Sequence, residues 1–175
     1  MKENVLISIN KPHTDNIFSG KKRIEWRKRP LPKTTHYCYE TKNKGGIGKV
    51  RGQFDVVENI KFNPLGDTYR PQWLEQGCVP IKELIEYANG DVIYANVLEN
   101  IEEYDKPKEL SEFYTEGDCD CLNCKKCYWF DKGNGYNCED DCNLAYKAIA
   151  EHKSYKPIIR PPQSWCYVEE LGGRQ

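Results

Sequence analysis

Long apolar runs are missing from this 175-residue chain. Nothing in it approaches the ~20 consecutive apolar residues that span a membrane as a helix, and the opening MKENVLISIN lacks the apolar stretch of a secretory signal. The expected setting is the cytoplasm, with no membrane partner. Aliphatic residues are also sparse beside 12 Tyr, 5 Phe and 4 Trp, so the core is expected to lean on aromatic rings whose hydroxyl and indole groups need partners. No internal repeat or low-complexity tract divides the chain. Its length suits one domain, or one domain with a large insert. No Ser-His-Asp arrangement and no Gly-rich phosphate loop offers a ready chemistry, and His13, His36 and His152 read as surface or capping groups.

Net charge is nearly absent, at −1, but the two signs are separated. Residues 1–62 hold 14 Lys or Arg against 6 Asp or Glu, while residues 63–175 hold 12 against 21. The first block can attract a polyanion and the second cannot.

Within the basic block, Ser19 to Arg29 reads SGKKRIEWRKR and sets Gly20, Lys22, Glu25 and Arg27 in the order G-x-K-x-x-E-x-R. Pro12 to Phe18 reads as a short helix opened by proline, with Gly20 just past its end. Ile24 to Arg27 then alternates apolar and charged residues as a half-buried strand does. Lys22 therefore falls in a helix-to-strand turn, and Glu25 and Arg27 share one strand face. Lys22 and Arg27 can hold a phosphate or a base edge, and Glu25 can accept a proton or base-edge hydrogen bonds. Tyr37, Tyr39 or Trp26 could supply a stacking surface. The structural alternative is an ion-pair network that closes one end of the fold.

The pattern G-x-K-x-x-E-x-R, placed after a strand such as Val5 to Ile9 and a short helix, resembles the activating signal cointegrator homology (ASCH) family of PUA-like barrels. The resemblance covers Val5 to Phe62 and a closing strand near Trp165, about half of the chain. It implies RNA or nucleotide recognition, with Lys22, Glu25 and Arg27 lining the cleft. Some family members are enzymes that remove an acyl group from a modified cytosine nucleoside, using a Lys at the position of Lys22 and a threonine three residues on. Here that residue is Glu25. A carboxylate cannot play the hydroxyl part, but it could activate water as a general base, so a hydrolase with Lys22 and Glu25 as catalytic groups is the second reading.

Along the rest of the chain, Arg29 to Lys33 is a stiff proline loop, His36 to Thr41 a strand, and Val50 to Phe62 a long strand with a bend, in which Gly52 signals a bulge or close approach. Residues 80–89 form an amphipathic helix, Asp91 to Leu98 a strand, and Tyr104 to Leu110 a loop. Leu144, Ala145, Ala148 and Ile149 mark a further helix, and Ser164 to Glu169 the last strand. The expected class is α+β: a PUA-like small β-barrel of five or six strands with peripheral helices. Residues 1–115 would be the barrel, 116–142 a Cys-rich insert, and 143–175 the helix and closing strand.

Six of the nine cysteines lie between Cys119 and Cys142 as C-x-C-x2-C-x2-C-x10-C-x3-C. Short spacings let one turn of backbone aim two thiolates at one ion, which points to a metal. Cys124 and Cys127 as one knuckle, with Cys138 and Cys142 as the other, would hold a structural zinc. Cys119 and Cys121 are substitutes. An iron-sulfur cluster on Cys121, Cys124 and Cys127, and disulfides, stay open as alternatives. From Glu116 to Cys142 seven acidic residues face only Lys125, Lys126 and Lys132, so this knuckle is unsuited to phosphates and reads as a staple for an insert with little apolar content or as a protein-contact surface. A regulatory protein-binding module is accordingly the third reading. Cys38, Cys78 and Cys166 read as isolated small buried residues.

Overall fold

The computed structural model describes residues 4–66, 71–118 and 153–170. The chain opens with β1 (Asn4–Ile9), α1 (Lys11–Phe18), the short β2 (Ile24–Arg27) and β3 (Thr35–Glu40). The long β4 (Val50–Phe62) leads to α2 (Pro71–Gly77), α3 (Ile81–Ala88) and β5 (Ile93–Lys108), and β6 (Phe113–Asp118), β7 (Lys153–Pro157) and β8 (Trp165–Glu170) follow. Hydrogen bonds join these into one eight-stranded sheet in the order β2-β5-β4-β3-β1-β8-β6-β7. The β1–β3 pair is parallel and the others are antiparallel.

The sheet curls without closing: among the described residues no ladder joins β2 to β7. Its curvature can be read from one contact. In a flat sheet, four strand spacings would part β2 from β1 by about 19 Å, yet Arg27 Nη2 lies 3.2 Å from Ser8 O. The α+β, barrel-like expectation therefore holds, with eight strands instead of five or six.

The extra strands are ones whose sequence lacks an apolar alternation. Tyr104 to Lys108 is strand rather than loop, because β5 keeps pairing with the start of β4 up to Val50↔Lys108 while its charged side chains stay in solvent. Tyr104 is the exception, packing on the core and donating its hydroxyl to Gln53 Oε1 at 2.8 Å. β6 and β7 pair from Tyr114↔Pro157 to Asp118↔Lys153, so residues 118 and 153 lie side by side. The cysteine block and the helix expected near Leu144 fall between these two strands, outside the described residues. Among the described residues no helix is long and apolar enough to cross a membrane.

Strand alternation sorts the core. Ile7 and Ile9 of β1 join Cys38, Phe54, Val56 and Leu98 in one cluster, while Leu6 joins Tyr37, Tyr39 and Phe113 in a second. A third, around Ile24, Trp26, Phe62, Leu84 and Ile93, seats α3 on β2 and β5. The core leans less on aromatic rings than the composition suggests: three of the seven buried residues of the second cluster and two of the seven of the third are aromatic, and the first has Phe54 alone. His36 is no surface group: it is fully buried, stacked 5.6 Å from the Phe54 ring, and burial lowers its pKa to about 4, so it is neutral.

The close approach expected at Gly52 is real. A Cβ there would sit 2.2 Å from Glu102 O and 2.6 Å from the Phe18 ring, beside a register shift in the β4–β5 ladder. Gly52→Ala should therefore lower the unfolding free energy by about 2 kcal/mol, measured by denaturant titration. A change near zero would mean that the bulge absorbs the methyl group.

Candidate functional site

Gly20 ends α1 in the left-handed conformation, at φ +77. Its N–H bonds Ile17 O at 2.9 Å and that of Lys22 bonds Asn16 O at 2.8 Å, which folds the chain back towards β2. Glu25 and Arg27 then share a face of β2, with Ile24 and Trp26 packed on the other side in the third cluster. The expected placement of all three motif residues is thus observed.

They form one continuous chain of charge. Lys22 Nζ donates to Gly77 O at 2.6 Å and stands 3.3 Å from Glu25 Oε2. Glu25 Oε1 accepts from Arg27 Nε at 2.9 Å and lies 2.9 Å from Nη2. Arg27 Nη2 reaches Ser8 O, while Nη1 makes only a long, exposed 3.4 Å contact with Ser164 Oγ. Lys22 is 1% exposed and Glu25 6%, so two of the three charges are out of water. Burial would raise the Glu25 carboxyl, but the Lys22 ammonium and the Arg27 guanidinium outweigh it and hold it below the ordinary carboxylate range.

Lys22 depends on a part of the chain 55 residues away in sequence. α2 ends at Gly77, whose carbonyl belongs to the partially negative end of that helix. A Cβ at Gly77 would fall 2.1 Å from Trp26 Nε1, so only glycine lets this end come close enough to take the ammonium. Pro71 at the start and Gly77 at the end are the sequence signs of this short helix.

The triad lines a cleft of about 500 Å³. Its walls include Ser8, Asn10, His13 and Gln163, with Tyr87 from α3. Burial, helped by the Lys22 cation, lowers the His13 pKa, so its imidazole is neutral at pH 7. Its Nδ1 is out of solvent and bonds nothing. His13, read from sequence as a surface or capping group, therefore belongs to the site. Counted as Lys22 and Arg27 against Glu25, the interior of the cleft carries a surplus of one positive charge, and the Glu83 carboxylate at the rim is exposed to screening water.

The aromatic residues are largely packed in the core. Tyr37 and Tyr39 are 5% and 4% exposed in the second cluster, and Trp26 is 6% exposed in the third, although Trp26 also lines the cleft of the triad. Tyr39 lines an adjoining cleft instead. A second buried network, which the sequence does not reveal, pins α1 from its other side. Glu40 accepts from Thr14 Oγ1 at 2.5 Å, Arg51 Nη1 at 2.8 Å and the Ile47 N–H at 2.9 Å. Cys38 is buried, and burial pushes its thiol pKa up, while Cys78 and Cys166 are half-buried. Among the described residues no three His, Cys, Asp or Glu side chains are grouped to hold a metal, and the expected ligands Cys124, Cys127, Cys138 and Cys142 lie outside those residues.

The architecture matches solved structures. A crystal structure of ASCH from Zymomonas mobilis superposes with a TM-score of 0.59 at 17% identity, covering 97% of this chain and 90% of that one. The chain has the ASCH fold. Two variants of the same Zymomonas mobilis ASCH protein, one serine-to-alanine and one tyrosine-to-phenylalanine, match the ASCH-fold chain with a TM-score of 0.56 at 15% and 16% identity. These matches cover 97% of this chain, with 91% and 92% of the variants. No model of a known family matches the sequence, and no curated protein does.

Removing the charge of Glu25 leaves two facing cations, one of them fully buried. Glu25→Gln should destabilise the ASCH-fold chain by about 3 kcal/mol at pH 7. The folded-state pKa of Glu25 is lowered, so its stabilisation is complete above the ordinary carboxylate pKa and fades as pH falls through the folded value. The gap between wild type and variant in urea melts should therefore shrink on acidification. A gap independent of pH would show that the lost carboxylate charge is not its cause.

Proposed function

We propose that the cleft binds RNA or a nucleotide, with Arg27 meeting a phosphate or base edge and with Lys22 and Glu25 holding it in place. The observation that carries this reading is the surplus of one positive charge in an open cleft: buried Lys22 and Glu25 offset each other, and the partly exposed Arg27 is left as the net cation. A guanidinium held in a cleft by a carboxylate that it shares with a lysine is incompletely neutralised, and an incoming anion supplies the remaining partner. A guanidinium whose Nη1 is only weakly engaged presents a planar donor to a phosphate oxygen or a guanine edge. The ASCH fold and the G-x-K-x-x-E-x-R motif support the same ligand class. So does the surplus of Lys and Arg in residues 1–62.

The hydrolytic reading has weaker support. Both Glu25 oxygens are committed to cations, and a carboxylate held below its ordinary pKa is a poor proton acceptor. The Lys22 ammonium is spent on Gly77 and Glu25, which suits positioning better than stabilising a developing oxyanion.

Arg27→Ala should weaken binding of a short fluorescent single-stranded RNA by about tenfold, with Arg27→Lys intermediate because it keeps the charge and loses the fork. Fluorescence anisotropy at several salt concentrations checks both, since wild-type affinity should also fall as salt rises. Equal affinity in wild type and Arg27→Ala, with intact circular dichroism, would refute the reading.

The second part of the proposal is a structural zinc on Cys124, Cys127, Cys138 and Cys142, in a cytoplasmic protein whose acidic knuckle offers a surface to a protein partner. It rests on the cysteine spacing alone. Atomic emission on the purified chain should find about one zinc per chain. Iron with a visible absorption band, or no metal, would overturn it.

A further inference from the structure

The cleft above Glu25 does not stand alone. A second concavity of about 750 Å³ adjoins it, and the two share Ser8, Thr41, Asn43 and Gln163. These residues form the threshold from one to the other. The chemistry changes across it. The first cleft has Lys22, Glu25 and Arg27 at its floor, whereas the second is walled by Leu110, Ile158, Pro161 and Pro162 with the Tyr39 phenol among them, and its one carboxylate, Glu109, is paired with Lys49. Burial, helped by the Glu109 charge, raises the Tyr39 pKa, so that phenol stays a protonated donor.

A cation stands beside the threshold. The turn between β3 and β4 carries Lys42, which lines the second cleft next to Thr41 and Asn43. Lys42 is laid along the second cleft by its packing on Gly48, which has φ +70 and where a Cβ would fall 2.6 Å from Lys42 Cε. A largely apolar slot joined to a cationic cleft through a polar threshold, with Lys42 beside it, repeats the alternation of base and phosphate along a single strand.

We propose that the second cleft is a subsite for the neighbouring nucleotide of the same ligand. Its base lies against Leu110, Ile158 and Pro161, and the linking phosphate crosses the threshold beside Lys42. The ligand is then single-stranded and at least two nucleotides long, because a base stacked in a duplex cannot enter the slot. This inference rests on nucleotide binding in the Arg27 cleft, and the test separates the two.

Titration calorimetry on the full chain would compare the four 5′-phosphorylated mononucleotides with the matching 5′-phosphorylated homodinucleotides and with a blunt RNA duplex. At least one dinucleotide should bind about tenfold more tightly than its mononucleotide, and the duplex should not compete. Lys42→Ala, and Ser111→Trp placed to fill the second cleft, should each reduce that gain to below about threefold while leaving mononucleotide affinity unchanged. Mononucleotides and dinucleotides of equal affinity, or variants that keep the full gain, would overturn the subsite and leave the Arg27 reading standing. Absence of binding by every nucleotide would sink the Arg27 reading and the subsite with it.

Discussion

A single carboxylate ties together pieces of chain that have no other reason to meet. The side chain of Glu25 takes Lys22 from the turn after α1 and Arg27 from the end of β2. Through Arg27 it reaches β1, and through Lys22 it reaches the end of α2. Its main chain is as busy. The Glu25 carbonyl accepts from Asn96 Nδ2 at 2.8 Å, and Asn96 Oδ1 in turn accepts from the Leu31 N–H and from Asn59 Nδ2. Asn96 is fully buried and its donors and acceptor are all used, which fixes the proline loop against β2 and β5. The curl of the sheet is thus locked by polar contacts as well as by the core.

α1 sits between two such carboxylates. Its Thr14 hydroxyl bonds Glu40, whose charge is met by Arg51, while its His13 faces the cleft over Glu25. Arg51 also covers the Phe18 ring and pairs with Asp15 and Glu103, so the middle and the C-terminal end of the helix are tied to the sheet. A wall held from two sides keeps its geometry when a ligand arrives, which favours binding without a large ordering cost.

The motif was readable because two local rules fix it. A glycine ends the helix, and the period of two along a strand puts Glu25 and Arg27 on one face. Their partners were not readable, since Gly77 O lies 55 residues from Lys22 and its role depends on the absence of a Cβ beside Trp26. The amphipathic α3 and the bulge at Gly52 were visible through periodicity and composition. The polar half of β5 was not, because its pairing with β4 is a tertiary fact that no alternation of side chains records. Residue type alone suggests a ligand-facing role for Tyr37 and Tyr39; the pleat of β3 packs both into the second cluster, and Tyr39 also lines the second cleft. His13 and His36 show the same limit in opposite directions, one lining the cleft and the other buried against Phe54.

β2 is an edge strand of only four residues, and an open edge is a template for another chain. Here the end of α2 caps its entry, with the Arg23 N–H donating to Gln76 O at 2.7 Å, and Lys28, Arg29 and Pro30 follow its exit. Charges and a proline at one end and a helix at the other leave little bare backbone for a neighbour to extend. The approach of Gly77 to Trp26 that seats Lys22 therefore also keeps separate copies from zipping together edge to edge. The seating of Lys22 and the shielding of an open sheet edge thus share one contact.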